Sequence, residues 1–265
     1  MLFKFKEFPY KLNEKVLHGI DEDVDYIYQY FKKDIDEIKR TGKVREGMFE
    51  NYQISTGDLK SKLSKECHLK NPCEIHINHD FKYKNTQLGN FYTPKETKIF
   101  PDKNIGVIGL TIHKYAYHLV LTEGYGDLKF SENMFEGISR EFQPYKIKAT
   151  IRHELYHWID DTVHNKYLTK ILKGEYIDKI LKKKKIENVN AAPFEIQAMI
   201  QNIYQLKKEF KDIWDDLTFD QMIKKLPSLS NIKHSMELYP ETYKKWKKQI
   251  KSKMWKNDLL GDNMK

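Results

Sequence analysis

Two histidines four residues apart, His153 and His157, stand in the run Thr150-Ile-Arg-His-Glu-Leu-Tyr-His-Trp-Ile159, and no other stretch constrains the chain as much. On a helix their imidazoles leave one face about a turn apart, near enough to hold one tetrahedral ion. Their neighbours Ile151, Leu155, Tyr156, Trp158 and Ile159 are all uncharged, so the helix is fit to lie in a closed site. Glu154 follows the first histidine. Its carboxylate can take a proton from water that a metal ion has brought to a pKa of roughly 7, and hand it to a leaving amine. The bare spacing arises by accident in roughly a few per cent of chains this long, so the uncharged flanks must add to it. The competing reading makes the histidines polar-face residues of an ordinary amphipathic helix.

The segment resembles the active-site helix of the zincin metallopeptidases. That resemblance implies zinc as cofactor, His153 and His157 as metal ligands, Glu154 as general base and a third ligand from elsewhere. The metzincin branch would need glycine at position 160 and histidine at 163. The chain has Asp160 and Val163, and His164 falls one residue late. Asp160, Asp161 and His164 return to the face of His153 but lie roughly 10 to 16 Å along the axis, too far to share its ion unless the helix breaks. Asp161 is read either as a partner orienting a ligand imidazole or as a solvated helix-end carboxylate.

Downstream, Asn190-Ala-Ala-Pro-Phe-Glu-Ile-Gln-Ala-Met199 opens a second helix, with Ile196, Met199, Ile200, Ile203 and Leu206 as its apolar face. The Pro-x-Glu-Ile-x-Ala pattern resembles the gluzincin branch, in particular small peptidase-like proteins of bacteriophages, and implies Glu195 as third ligand. The small Ala198, one turn on, would permit close helix approach. Met199 stands where better-known gluzincins carry an aspartate that orients a ligand. Read without the resemblance, Glu195 is an acid in a helix first turn, favourable to the dipole. Glu175 and Asp178 are the alternatives. Tyr204, His234 and Tyr239 are candidate donors to a tetrahedral oxyanion.

At 265 residues, with 40% hydrophobic and 13% aromatic residues, the chain can bury a core and is not of disordered composition. No apolar run spans a bilayer and the charged N-terminus is no secretory signal, so the expected location is cytoplasmic or virion-associated, with no membrane partner. Cys67 and Cys73 form no zinc spacing and are expected as reduced thiols.

Residues 21–40 carry helical periodicity in Val24, Ile27, Tyr28, Phe31, Ile35 and Ile38, and a weaker helix is expected over 57–66. The period then changes to short β-rich runs at 74–78, 97–100, 105–112 and 117–121, with Leu88–Pro94 resembling the turn before a zincin strand. His76 and His79 fall on opposite faces of a strand, and with His113 and His118 are expected as ordinary residues. An edge strand in this region could hold an extended peptide by main-chain pairing.

The expected fold is therefore α+β and zincin-like, a small mixed sheet packed on the active-site helix. It divides into an N-terminal helical region (1–66), a metal-binding core (67–215) and a basic helical extension (216–265). From Asn231 onward nine lysines face four acids, so about five of the net charge of +9 lie here. Tyr243, Trp246, Ile250 and Met254 form one apolar stripe. That helix is read either as packed on the core with a solvated lysine face or as docking an acidic partner, nucleic acid or a virion protein. Lys182 to Lys185 form a second basic run. The expected activity is zinc-dependent hydrolysis of a peptide or protein substrate. The alternative is a catalytically silent, zincin-like structural or packaged virion protein with a structural zinc.

Overall fold

The computed structural model describes residues 17–41, 52–80, 89–92, 106–113, 144–164, 193–225, 229, 233 and 240–265. The fold is mixed α+β, with one four-stranded sheet and six bounded α-helices among the described residues. Two compact units are formed, Gly19–Trp158 and Met1–His18 with Ile159–Lys265. No helix among the described residues is long and apolar enough to cross a membrane. The expected strands at 97–100 and 117–121, Glu175, Asp178, Lys182 to Lys185, His118, His234 and Tyr239 lie outside the described residues.

In the unit Gly19–Trp158, helix α1 (Asp21–Thr41) begins with three acids that suit its dipole. It buries Val24, Ile27, Tyr28 and Phe31 to 5% exposure or less, each stabilising by about 1.5–3 kcal/mol. Strand β1 (Tyr52–Ser55) follows. The helix expected over 57–66 is displaced: helix α2 spans Lys62–Lys70. Two serine caps explain the shift. Ser55 accepts from the Gly57 N–H, and with Asp58 closes a capping box around a single 3-10 turn, Thr56–Asp58. The chain then extends at Leu59 until the Ser61 side chain accepts from the Ser64 N–H and starts α2. Asp23, with no exposed surface, accepts from the backbone N–H of Lys60 (2.6 Å) and Ser61 (2.9 Å) and from the Ser64 hydroxyl (2.8 Å). One α1 carboxylate thereby fixes where α2 starts.

Strands β2 (Cys73–Asp80), β3 (Gly89–Tyr92) and β4 (Gly106–His113) complete the sheet in the order β1-β2-β4-β3. β1 is antiparallel to β2, β2 parallel to β4, and β3 antiparallel to β4. The alternation expected at 74–78 is present, with Ile75 and Ile77 buried beside Ile108 and Leu110 of β4. Gly89–Tyr92, expected in a turn, is itself a strand. His76 bonds the Glu74 carboxylate at 3.0 Å. Cys67 and Cys73 are buried and unbridged, and burial pushes the Cys67 thiol up to about 12.

Helix α3 (Pro144–Val163) carries the two histidines. In the other unit, α4 (Pro193–Glu209) buries Ile196, Ala198, Met199, Ile200, Ile203 and Leu206, followed by α5 (Phe219–Lys225) and α6 (Pro240–Lys256). Trp246, Ile250 and Met254 of α6 are buried, and Lys253 Nζ donates to Gln197 Oε1 of α4 at 2.8 Å. Beyond α6 the Leu259 carbonyl accepts from Trp214 Nε1 at 2.9 Å. The C-terminal helix is part of a core with its lysines outside.

Candidate metal centre

From Ile151 to Thr162 every residue of α3 is buried except His153, which is half-buried. The burial therefore has one gap, at the first residue of the histidine pair. His153 Nε2 and His157 Nε2 lie 3.0 Å apart, with rings edge-on at 78°. Two nitrogens on one tetrahedral zinc, each at about 2.0–2.1 Å, stand roughly 3.3 Å apart. The observed pair is within a few tenths of an ångström of that value. Without an ion the same separation is a hydrogen bond between one protonated and one bare nitrogen. A metal takes both lone pairs and moves both protons to Nδ1.

Glu195 occupies the first turn of α4. One ligand atom from each of His153, His157 and Glu195 lies within 4.8 Å of the other two. Two imidazoles and one carboxylate form a donor set suited to zinc with a coordination position left for water. Glu154 is 6% exposed, in the same turn as the two histidines.

What holds that turn in place was not read from the sequence. Arg152, with no exposed surface, pairs through Nη2 with Asp21 Oδ1, and Lys148 Nζ pairs with Asp25 Oδ1 at 2.6 Å. Residues 148 and 152 on α3 meet 25 and 21 on α1, two rungs one turn apart on each helix. The i,i+4 spacing within each helix is visible in the sequence, but nothing local pairs one helix with the other. On the other side of the histidines, Trp158 Nε1 donates to the Asn71 carbonyl at 2.8 Å, where α2 ends.

The remaining candidates fall away from the histidine pair. α3 continues unbroken to Val163, so Asp160, Asp161 and His164 stay displaced along the axis. Asp160 accepts from His164 Nδ1 at 2.9 Å, and Asp161 has no exposed surface, which overturns its reading as a solvated carboxylate. Tyr204 lies nine residues after Glu195, about 13.5 Å along α4 and half a turn round it. Its hydroxyl meets His18 Nδ1 at 3.1 Å. Of the three candidate oxyanion donors it is the one among the described residues, and it is placed away from Glu195. No protein-family model, curated protein or solved structure matches the chain.

Proposed function

We propose that the chain is a zinc-dependent peptidase of zincin type, with His153, His157 and Glu195 as ligands and Glu154 as general base. The observation that carries this reading is that ligand atoms of His153, His157 and Glu195 lie within 4.8 Å of one another, with Glu154 buried in the same turn as the histidines and His153 the one residue from Ile151 to Thr162 that is not buried. Zinc, when bound, supplies Lewis acidity to a scissile carbonyl and a lowered pKa to water. Glu154 takes the proton of the attacking water and returns it to the leaving amine, a role its burial favours by keeping competing solvent away. β3 pairs only with β4 among the described residues, and its other edge offers backbone donors and acceptors to an extended peptide. The short-stranded mixed sheet preceding the histidine helix supports the zincin-like assignment, and the gluzincin resemblance of residues 193–198 supports a relationship to bacteriophage peptidase-like proteins.

Metal analysis and turnover of a quenched peptide library test the proposal. Wild type should carry about one zinc per chain, and His153→Ala or His157→Ala should each lose most of it. Glu154→Gln should keep the zinc and the fold while hydrolysis falls by at least about 10² to 10⁴-fold. Equal rates in wild type and Glu154→Gln, zero included, would overturn the peptidase and leave zinc as a structural staple.

A further inference from the structure

The outward face of α6 carries groups that core packing does not use. Trp255 is 70% exposed, whereas Trp158, Trp214 and Trp246 are 1% exposed or less, so one of the chain's four tryptophans stands in solvent. At 100° per residue Lys244, Lys248 and Trp255 fall within 40° of one another, in a line about 16 Å long. A parallel row holds Lys245 and Lys256, also exposed. Lys247 and Lys251 are turned elsewhere: Lys247 approaches Asp220 at 4.0 Å, and Lys251 donates to the Lys265 carbonyl at 2.9 Å. Both also lie over the Phe219 ring. Lys244, Lys245 and Lys248 meet no carboxylate among the described residues.

We infer that this face binds single-stranded nucleic acid, the lysine rows following the phosphates and Trp255 stacking on a base. Lys244 and Lys248, four residues apart, are about 6 Å apart along the axis, a spacing that lets neighbouring phosphates of an extended strand each meet a cation, while Lys256 adjoins Trp255 at the other end of the track. An aromatic ring at one end of a basic track is the combination such strands recognise, because every base offers a π-face and every linkage a charge. An anionic membrane is the weaker match. A helix bound in a bilayer interface must bury its apolar face in lipid, and the apolar face of α6, with Trp246, Ile250 and Met254, is already buried in protein.

Trp255 is also the reporter. Titrating the full-length protein with a 20-mer of deoxythymidylate should quench the fluorescence of the exposed tryptophan, and Trp255→Phe should abolish that change. By anisotropy of labelled oligonucleotide, Trp255→Ala should weaken binding about 5- to 150-fold with an unchanged salt dependence. Combined Lys244→Gln, Lys245→Gln and Lys248→Gln should reduce the slope of log affinity against log salt by about 2, at about 0.7 per phosphate contact on a single strand. Combined Lys33→Gln, Lys62→Gln and Lys65→Gln, on exposed residues of α1 and α2, should leave the slope near wild type. Equal loss in both triple variants would reduce the binding to net charge and overturn the proposal. So would quenching of Trp255 by phosphatidylserine vesicles but not by the oligonucleotide, which would make the face a membrane surface.

Discussion

Helices α3 and α6 are of similar length, 20 and 17 residues, and each buries a tryptophan almost completely. They are built by opposite rules. α6 sorts its residues, with Trp246, Ile250 and Met254 inside and lysines outside. α3 buries Arg152, Glu154, His157, Asp160 and Asp161 among its apolar residues. An ionised group taken out of water costs several kcal/mol unless it is paired, so folding alone does not select such a helix. Arg152 and Asp160 have structural partners. His157 and Glu154 belong to the turn of the candidate metal centre, where the proposed function would give a covered polar group chemical use. The contrast teaches that an amphipathic helix reports how a chain folds, whereas buried polarity on a helix reports what it is for.

Deleting residues 241–265 attacks the sorted helix and should have the largest effect. Three buried side chains, each contributing about 2–5 kcal/mol, together approach the entire stability of a domain, about 5–15 kcal/mol. Circular dichroism of the truncated chain should show loss of α4 and α5 along with α6. A truncated chain with full helical content and an unchanged melting temperature would mean that α6 is an appendage, and the comparison would fail.

The two rungs between α3 and α1 sharpen it at intermediate size. Asp21→Asn takes the carboxylate from a guanidinium with no exposed surface and should destabilise by about 3 kcal/mol. This is the low end of the range for breaking a buried pair, because Asp21 keeps a third of its side-chain surface. Lys148→Gln breaks a pair 26% and 56% exposed and should change stability by less than about 1 kcal/mol. Urea midpoints measure both. Equal effects would show that burial along α3 does not set the strength of its polar contacts.

How much of this was legible in the sequence follows the range of the signal. α1, β2, β4, α3, α4 and the stripe of α6 rest on periodicity within ten to twenty residues, and each lies where the pattern placed it. So does the histidine pair, whose geometry is a property of one helical turn. The start of α2 was misplaced because Ser55 caps a 3-10 turn locally and Asp23 fixes the next helix from 37 and 38 residues away. The burial of Arg152 was missed for the same reason, its partner being in α1. For Tyr204, one of three candidate oxyanion donors, the helix spacing already places it half a turn out of phase with Glu195, nine residues on.

The smallest expected effect lies at the end of α3, where the buried helix meets solvent. His164 Nδ1 faces the Asp160 side chain at 2.9 Å and its carbonyl at 3.2 Å, and the hydrogen bond to the Asp160 carboxylate raises the imidazole pKa against the opposing desolvation. A group whose folded pKa is raised contributes stability that is fully present below its unfolded value, roughly 6.5, and lost as pH rises through the folded value. The stability gap between wild type and His164→Gln should therefore be widest near pH 5.5 and close by about pH 8.5. With the His164 side chain 40% exposed, solvent screening holds the gap below about 1 kcal/mol. A gap of the same size at both pH values would show that the contact holds no charge, and a gap of several kcal/mol would show that the buried environment of α3 extends to its last turn. The expected small, acid-favoured gap places the boundary of the buried helical surface after Thr162, at Val163 and His164.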